Sequence, residues 1–328
     1  MNLVKWTAGA SVALVALWFG WLAGARAAEV EGEAKAPAEV AMGAYLLRLS
    51  DVSQKDGTFN VDMWVWFRWK GDDLKPYETF EIANGKIESK SNAEVSDDGG
   101  YHYTSVRVQG TVFHDYDVRR FPLDDHRLTI EIEDENLDAS SLRYVADDGI
   151  ALDPGLKVAG WAVSLLPASV QQHVYPTNYG LRSSGEASAT YSRLVLPVSL
   201  TRTGYGPLLK QFWISLLSVL LGLLAFRVRA TDLDARFGLG VGSIFAASAN
   251  AYAISDSLPQ TVVITLAEQI NFLAIGTIFL SVFMSIASLR LCYAGRDEAS
   301  ERQDRISLWV IGIGYLLANV GVLVAYRA

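Results

Sequence analysis

Two hydrophobic regimes divide the chain. Between residues 38 and 202 apolar and polar positions alternate in short runs, and beyond residue 205 they give way to four long apolar runs. Period-two alternation sends successive side chains to opposite faces of a strand. Residues 40–49, 59–69, 78–83, 86–95, 101–113, 127–134, 141–145, 157–166, 169–175 and 190–201 are therefore predicted strands, separated by Gly, Asp, Asn and Pro clusters. The turn-forming stretch Asp51 to Gly57 makes the first two a hairpin. Many short strands at this spacing favour a β-sandwich, two sheets around one core. On the second strand Trp64 and Trp66 share one face and Trp69 takes the other, where burial in the core is expected.

The later runs, at about 205–226, 237–255, 262–290 and 306–326, can each cross about 30 Å of hydrocarbon at about 1.5 Å per residue. The expected fold is an all-β sandwich over residues 29–203 followed by an all-α, four-helix transmembrane region over 204–328. The second run stands apart. It is mostly Gly, Ala and Ser, with Asp234 and Arg236 at one end and Asp256 at the other, whereas its neighbours are rich in Leu, Ile, Val and Phe. Small residues let helices approach closely and charges in spans face cavities, so this helix is predicted to lie among other helices or to line water.

Charge orients the spans. Arg227, Arg229 and Arg236 flank the first connection and Arg290, Arg296, Arg302 and Arg305 crowd the third, while the second, Ser255 to Gln260, carries only Asp256. Positive residues favour the cytoplasm, which puts the sandwich and the second connection outside. Export fits the first residues. Lys5 precedes the apolar stretch Ala8 to Gly24 and the small-residue pattern Ala25-Arg26-Ala27-Ala28, predicting a signal peptide over 1–28, with an uncleaved anchor as the alternative. The third connection, Ala294 to Arg305, is too short for a cytoplasmic domain.

Composition removes several function classes. The net charge of -8 shows no basic stripe for nucleic acid, and the single cysteine, Cys292, permits neither an intrachain disulfide nor a Cys-based metal site. The chain has no Gly-rich phosphate loop, no nucleophile elbow and no metal-spaced histidine pair, so neither enzyme activity nor a cofactor or metal is expected.

Asp117-Val118-Arg119-Arg120-Phe121-Pro122-Leu123-Asp124 resembles the signature loop of the pentameric ligand-gated ion channels, the Cys-loop receptor superfamily. In animal members two cysteines close that loop; His114 and Leu128 occupy those positions here, which points to the prokaryotic members that lack the disulfide. The resemblance runs on through FNVDMWVWFRWK, Gly160-Trp161, Arg202 ahead of the first span, and Arg236 and Leu258-Pro259 bracketing the second. It implies a homopentamer in a bacterial inner membrane, with the sandwich in the periplasm or outside the cell. Its partners would be the lipid bilayer, permeant ions and a small-molecule agonist or protons. Asp117, Phe121, Pro122, Asp124, Arg202 and Pro259 would couple sensing to opening.

By the same resemblance Gly238, Gly242, Phe245, Ala249, Tyr252 and Asp256 line the pore, and their three-and-four spacing is also what one helix face requires. Phe245 would form a hydrophobic gate, and Asp234 and Asp256 charge rings favouring cations. Solvated caps at the membrane borders are the other reading of those aspartates. Gly238 and Gly242 depart from the hydroxyl rings common in relatives. An agonist would bind between subunits against Trp64, Tyr144, Tyr175 and Tyr179, an aromatic set suited to an amine-like ligand. Core packing or loop surface is the alternative for Tyr144 and Tyr179. Protons are the rival stimulus, because His102, His114, His126 and His173 all lie in the exported region, and His114 and His126 flank the signature loop. Lys210, Glu268, Gln269, Asn271 and Asn319 sit within spans, for interhelical bonding or snorkelling. The competing function is an exported binding domain on a four-helix anchor that senses without conducting.

Overall fold

The computed structural model describes residues 36–180, 188–260 and 263–326. The expected signal peptide lies outside the described residues. Alternation on the first hairpin is realised in full: β1 (Ala38–Ser53) pairs antiparallel with β2 (Thr58–Trp69), and alternate residues of β2 from Phe59 to Trp69 are buried. The other face of β2 carries the half-buried Trp66, whose Nε1 donates to Asp147 at 2.8 Å. A Cβ on Gly43 would come within 2.2 Å of that indole, so only glycine fits beneath it.

A helical turn, Pro76–Thr79, and β3 (Phe80–Ile82) replace the single strand predicted over 78–83, since Pro76 fits the first turn of a helix. The strand predicted over 86–95 stops early, as β4 (Gly85–Lys90), and a short β5 (Ser96–Asp98) follows beyond its predicted end. Both pair with β6 (Tyr101–Phe113). Then come β7 (His126–Asp134), β8 (Leu142–Ala146), β9 (Ala151–Leu152), β10 (Trp161–Leu165), β11 (Ser169–Tyr175) and β12 (Ala189–Arg202). One sheet has the order β4-β6-β2-β1-β8, with β5 on β6 and β9 on β1; the other has the order β10-β12-β7-β3, with β11 on β12. Between them Met42, Met63, Phe67 and Val108 of the first sheet meet Leu128, Ile130, Leu196 and Val198 of the second in one core.

Four long helices follow: α1 (Gly206–Leu224), α2 (Leu233–Asp256), α3 (Leu266–Tyr293) and α4 (Asp297–Ala325). Each is long and apolar enough to cross a membrane. α4 starts nine residues before the predicted 306, so most of the expected Ala294 to Arg305 connection is helix, and Gly295 with φ 72° makes the turn. The apolar run marks only the later part of this helix, while its first turn carries Asp297 and Glu298, which favour a helix N-terminus. α3 begins at a capping box in which Thr265 Oγ1 accepts from the Glu268 backbone N–H and Glu268 accepts from the Thr265 N–H, which accounts for Glu268.

The helices pack with small and polar residues inside. Ser215 and Ser218 of α1, Ser243 and Asn250 of α2, and Asn271 and Ser281 of α3 are buried. Asn250 Nδ2 reaches Ser215 Oγ at 3.0 Å and Asn271 Oδ1 at 3.1 Å, a polar knot across three helices. Asn271 thus bonds between helices. Asn319 donates to the Tyr315 carbonyl of its own helix at 2.8 Å, and Lys210 is exposed.

Candidate functional site

The site grows from the place where sandwich and helices meet. The signature loop leaves β6, passes the cis Phe121-Pro122 bond and enters β7. Its carbonyls do the work of a helix cap: Arg119 O accepts from Leu266 N at 3.0 Å and Phe121 O from Ala267 N at 3.1 Å. Two of the first-turn N–H groups that α3 cannot satisfy internally are therefore satisfied by the sandwich. Ile254 and Leu258, at the end of α2, and Ala267 of α3 are buried in the same hydrophobic cluster as the sandwich core. Pro259, beside them, is half-buried.

Behind the loop lies a buried polar cluster. Asp124 accepts from Arg202 Nη2 at 3.2 Å, approaches His126 Nε2 at 2.5 Å, and receives the Gln54 side-chain amide. Burial alone would push the Asp124 carboxyl up, but the His126 hydrogen bond and the Arg202 charge outweigh it and hold it below the ordinary carboxylate range. Arg202 lies 3.8 Å from the Trp161 ring centroid and 5.9 Å from that of Phe121. An aromatic ladder continues it, with ring centroids 5.4 Å apart for Trp161 and His126, 4.9 Å for His126 and Tyr116, and 4.8 Å for Tyr116 and His114. Burial first, and then the nearby His126, push the His114 imidazole below its usual value. At the exposed edge Arg119 clamps Asp117 and lowers its carboxyl to about 2.

The second part is α2. Arg236, Gly240, Ser243, Ala247, Asn250 and Ile254 are buried against the other helices. Two residues further round, Gly238, Gly242, Phe245, Ala249, Tyr252 and Asp256 all lie on the exposed face of the single chain, with Phe245 72% and Tyr252 76% exposed. α3 presses close at Gly240, since a Cβ there would meet Val282 at 2.8 Å, whereas one at Gly238 or Gly242 would meet nothing within 4 Å. Arg236 turns away from that face: it donates to the Val228 carbonyl at 2.8 and 3.0 Å and pairs with the buried Asp304 of α4. Asp234 stays exposed in the first turn.

The chain is similar to γ-aminobutyric acid receptor subunits. The rho-1 subunits from Rattus norvegicus and Mus musculus are each 27% identical to it over 217 residues, 65% of this chain and 43% of the relative. The match therefore spans less than half the length of those relatives. No family model matches. The sandwich and the four apolar helices are consistent with the architecture of the Cys-loop receptors, and with the similarity they support a multi-pass membrane protein.

The aromatic candidates separate. Tyr144 is 1% exposed and belongs to the sandwich core, because on β8 it shares the inward side with Leu142; it is not part of a surface site in this chain. Trp64 is partly exposed on the outer face of β2, in the other sheet from Tyr175, so the chain alone does not bring those two together. Tyr175 and Tyr179 do meet, at 5.9 Å, and His173 lies 4.5 Å from Tyr175. Residues 181–187, which follow Tyr179 and Gly180, lie outside the described residues.

Three charged residues at this spot went unremarked in the sequence. Tyr175 donates to Glu133, and Arg193 bonds Glu131, reaches Glu133 Oε2 at 3.1 Å and donates to Tyr175 Oη at 2.7 Å. Strand register is the signal that could have found them, since Glu131 and Glu133 alternate with the core residues Ile130 and Ile132 and so face the side away from the core. Glu81 joins the group from β3; burial and then the charges of Glu133, Glu135 and Asp134 raise its carboxyl above the ordinary range.

Proposed function

We propose that the chain is one subunit of a homopentameric ligand-gated ion channel, with α2 lining the pore and the sandwich sensing the stimulus outside. The observation that carries this reading is the joint. A helix with one packed face and one open face, rich in small residues, ends inside the hydrophobic core of the domain that would bind the ligand. Movement of the sandwich would be transmitted to that helix through Ile254 and Leu258, and to α3 through the carbonyls of Arg119 and Phe121. Fivefold repetition would make each exposed α2 residue a ring, with Phe245 as a dewetting gate. Cation preference is supported by Asp234, which is exposed four residues before Gly238 and so on the same side, while the arginine at that end is buried against Asp304.

The stimulus in this reading is an amine-bearing small molecule. Tyr175, Tyr179 and His173 make an aromatic surface above Glu131 and the buried Glu133, both paired with Arg193, and Trp64 of a neighbouring subunit would complete it. γ-Aminobutyric acid, after which those receptor subunits are named, carries such an ammonium group. Planar-bilayer recording of the purified protein against a panel of amines tests this. Channel events evoked by an amine are expected, and Tyr179→Ala, which removes a ring 61% exposed, should raise the half-maximal concentration about two- to fivefold, matching about 0.5–1 kcal/mol of cation–π attraction. Silence across the panel and across pH favours the non-conducting anchored sensor.

Protons are a second reading, and the buried cluster at Asp124 favours it. His126 sits within the coupling joint, and protonating His114, already disfavoured by burial, would add charge beside it. A lowered histidine pKa means that the arrangement seen here binds fewer protons than an open chain and loses stability as pH falls below the usual histidine range. Acid would therefore drive the joint out of this arrangement. Currents that do not change between mildly acidic and neutral pH, in the wild type and in His126→Gln alike, sink this alternative.

A further inference from the structure

One ion pair crosses from the sandwich to the pore helix. Lys55 stands in the turn between β1 and β2, and its Nζ lies 2.8 Å from Oδ1 of Asp256 in the last turn of α2. The two residues are 201 positions apart in the chain, and both side chains are more than half exposed. Asp256 is one turn beyond Tyr252 on the open face of α2. Its bond and charge raise the Lys55 ammonium above its usual value, and Asp56 and then Tyr252 add smaller contributions. Asp56, the next residue of the turn, is held within the turn, bonded to Ser53 Oγ through both its backbone N–H, at 3.1 Å, and its carboxylate, at 2.6 Å.

An exposed pair of this kind adds little to stability. Its consequence is electrostatic. A bare carboxylate acts over about 10 Å in 0.1 M salt, whereas a carboxylate with an ammonium in contact is close to neutral at that range.

We propose that Lys55 is a charge-setting residue of the outer pore mouth: the ring at Asp256 consists of Asp–Lys pairs in which the sandwich cancels the helix carboxylate. The proposal rests on the channel reading and sharpens it, because it leaves Asp234 as the bare acidic ring and makes the outer mouth electrically quiet. Lys55 belongs to a different domain from the pore, so no scan of the pore helix alone would find it.

Single-channel conductance of the full-length protein in symmetric 0.1 M potassium chloride tests it, together with a zero-length carbodiimide cross-link read by mass spectrometry. Lys55→Gln is expected to raise cation conductance about twofold by uncovering the ring, Asp256→Asn to lower it by leaving bare ammonium groups, and the double variant to return to the wild-type value. Both single shifts should shrink in 1 M salt, where the screening length is about 3 Å. The carbodiimide should join Lys55 to Asp256 in the wild type. Unchanged conductance in Lys55→Gln, a double variant that fails to return, or a missing cross-link overturns the proposal while wild-type currents keep the channel reading intact. Complete electrical silence of the wild type overturns the channel reading, and the charge-setting role with it.

Discussion

The sandwich and the helices are built inside out with respect to one another. In the sandwich Phe59, Phe67, Met63 and Ile132 are fully buried and the charged residues of β2, β4 and β6 face outward. In the helices Trp213, Phe279, Phe283, Trp309 and Leu317 are exposed, while Ser218, Ser243, Asn250, Asn271 and Ser288 are buried. Water drives large apolar side chains inward because their burial removes apolar area from water. Lipid supplies no such drive, so helices associate through close packing of small residues and through hydrogen bonds. The same chain therefore uses two opposite polarity codes, and the change between them falls within a few residues of Arg202, where β12 ends and α1 begins.

Single substitutions on each side put this contrast under strain. The largest effect is expected at Phe67, fully buried and 5.1 Å from the Phe80 ring. Phe67→Ala removes a large side chain from a core that faces water and should cost about 3–5 kcal/mol. Denaturant titration of the purified full-length protein reads this out. A loss below about 1 kcal/mol would mean that the sandwich is not stabilised by its apolar core.

Asn250→Leu tests the opposite code. The change leaves Ser215 and Asn271 without their shared partner at the centre of the knot, where a leucine would otherwise look harmless in a membrane. The expected cost is about 1–2 kcal/mol, from interhelical hydrogen bonds measured in lipid. A double-mutant cycle with Asn271→Ala separates the bond from the packing change, and a coupling near zero would remove the knot from the account.

How far the sequence alone reaches follows the same division. Period two located the strands, and long apolar runs located the helices, since both are local consequences of where side chains point. Gly238, Gly242, Phe245, Ala249, Tyr252 and Asp256, which the family resemblance singles out, share an exposed face of α2, as their three-and-four spacing allows. Tyr144, for which core packing is one of the two readings open in the sequence, lies in the core, in keeping with its parity with Leu142. Polar first turns leave no mark in an apolar run, so α4 begins nine residues before its run does. The pairs that build the site, Arg193 with Glu133, His126 with Gln54, Arg236 with Asp304 and Lys55 with Asp256, join residues 60, 72, 68 and 201 positions apart. Periodicity says which way a charge faces and nothing about what it meets there.

The smallest expected effect is the sharpest comparison. Leu317 of α4 is 66% exposed in the chain, with its side chain on the outer surface of a helix that is apolar enough to span. In water, a leucine so placed would be a liability, and in the sandwich core Leu→Ala would cost about 2–5 kcal/mol. In lipid the side chain exchanges one apolar neighbour for another, so Leu317→Ala should change stability by less than about 0.5 kcal/mol. The measurement belongs in bilayer nanodiscs, where lipid tails replace the deleted methyls. A cost of several kcal/mol there would show that Leu317 is packed against protein in the assembled molecule, which would move α4 from the lipid boundary into a subunit contact.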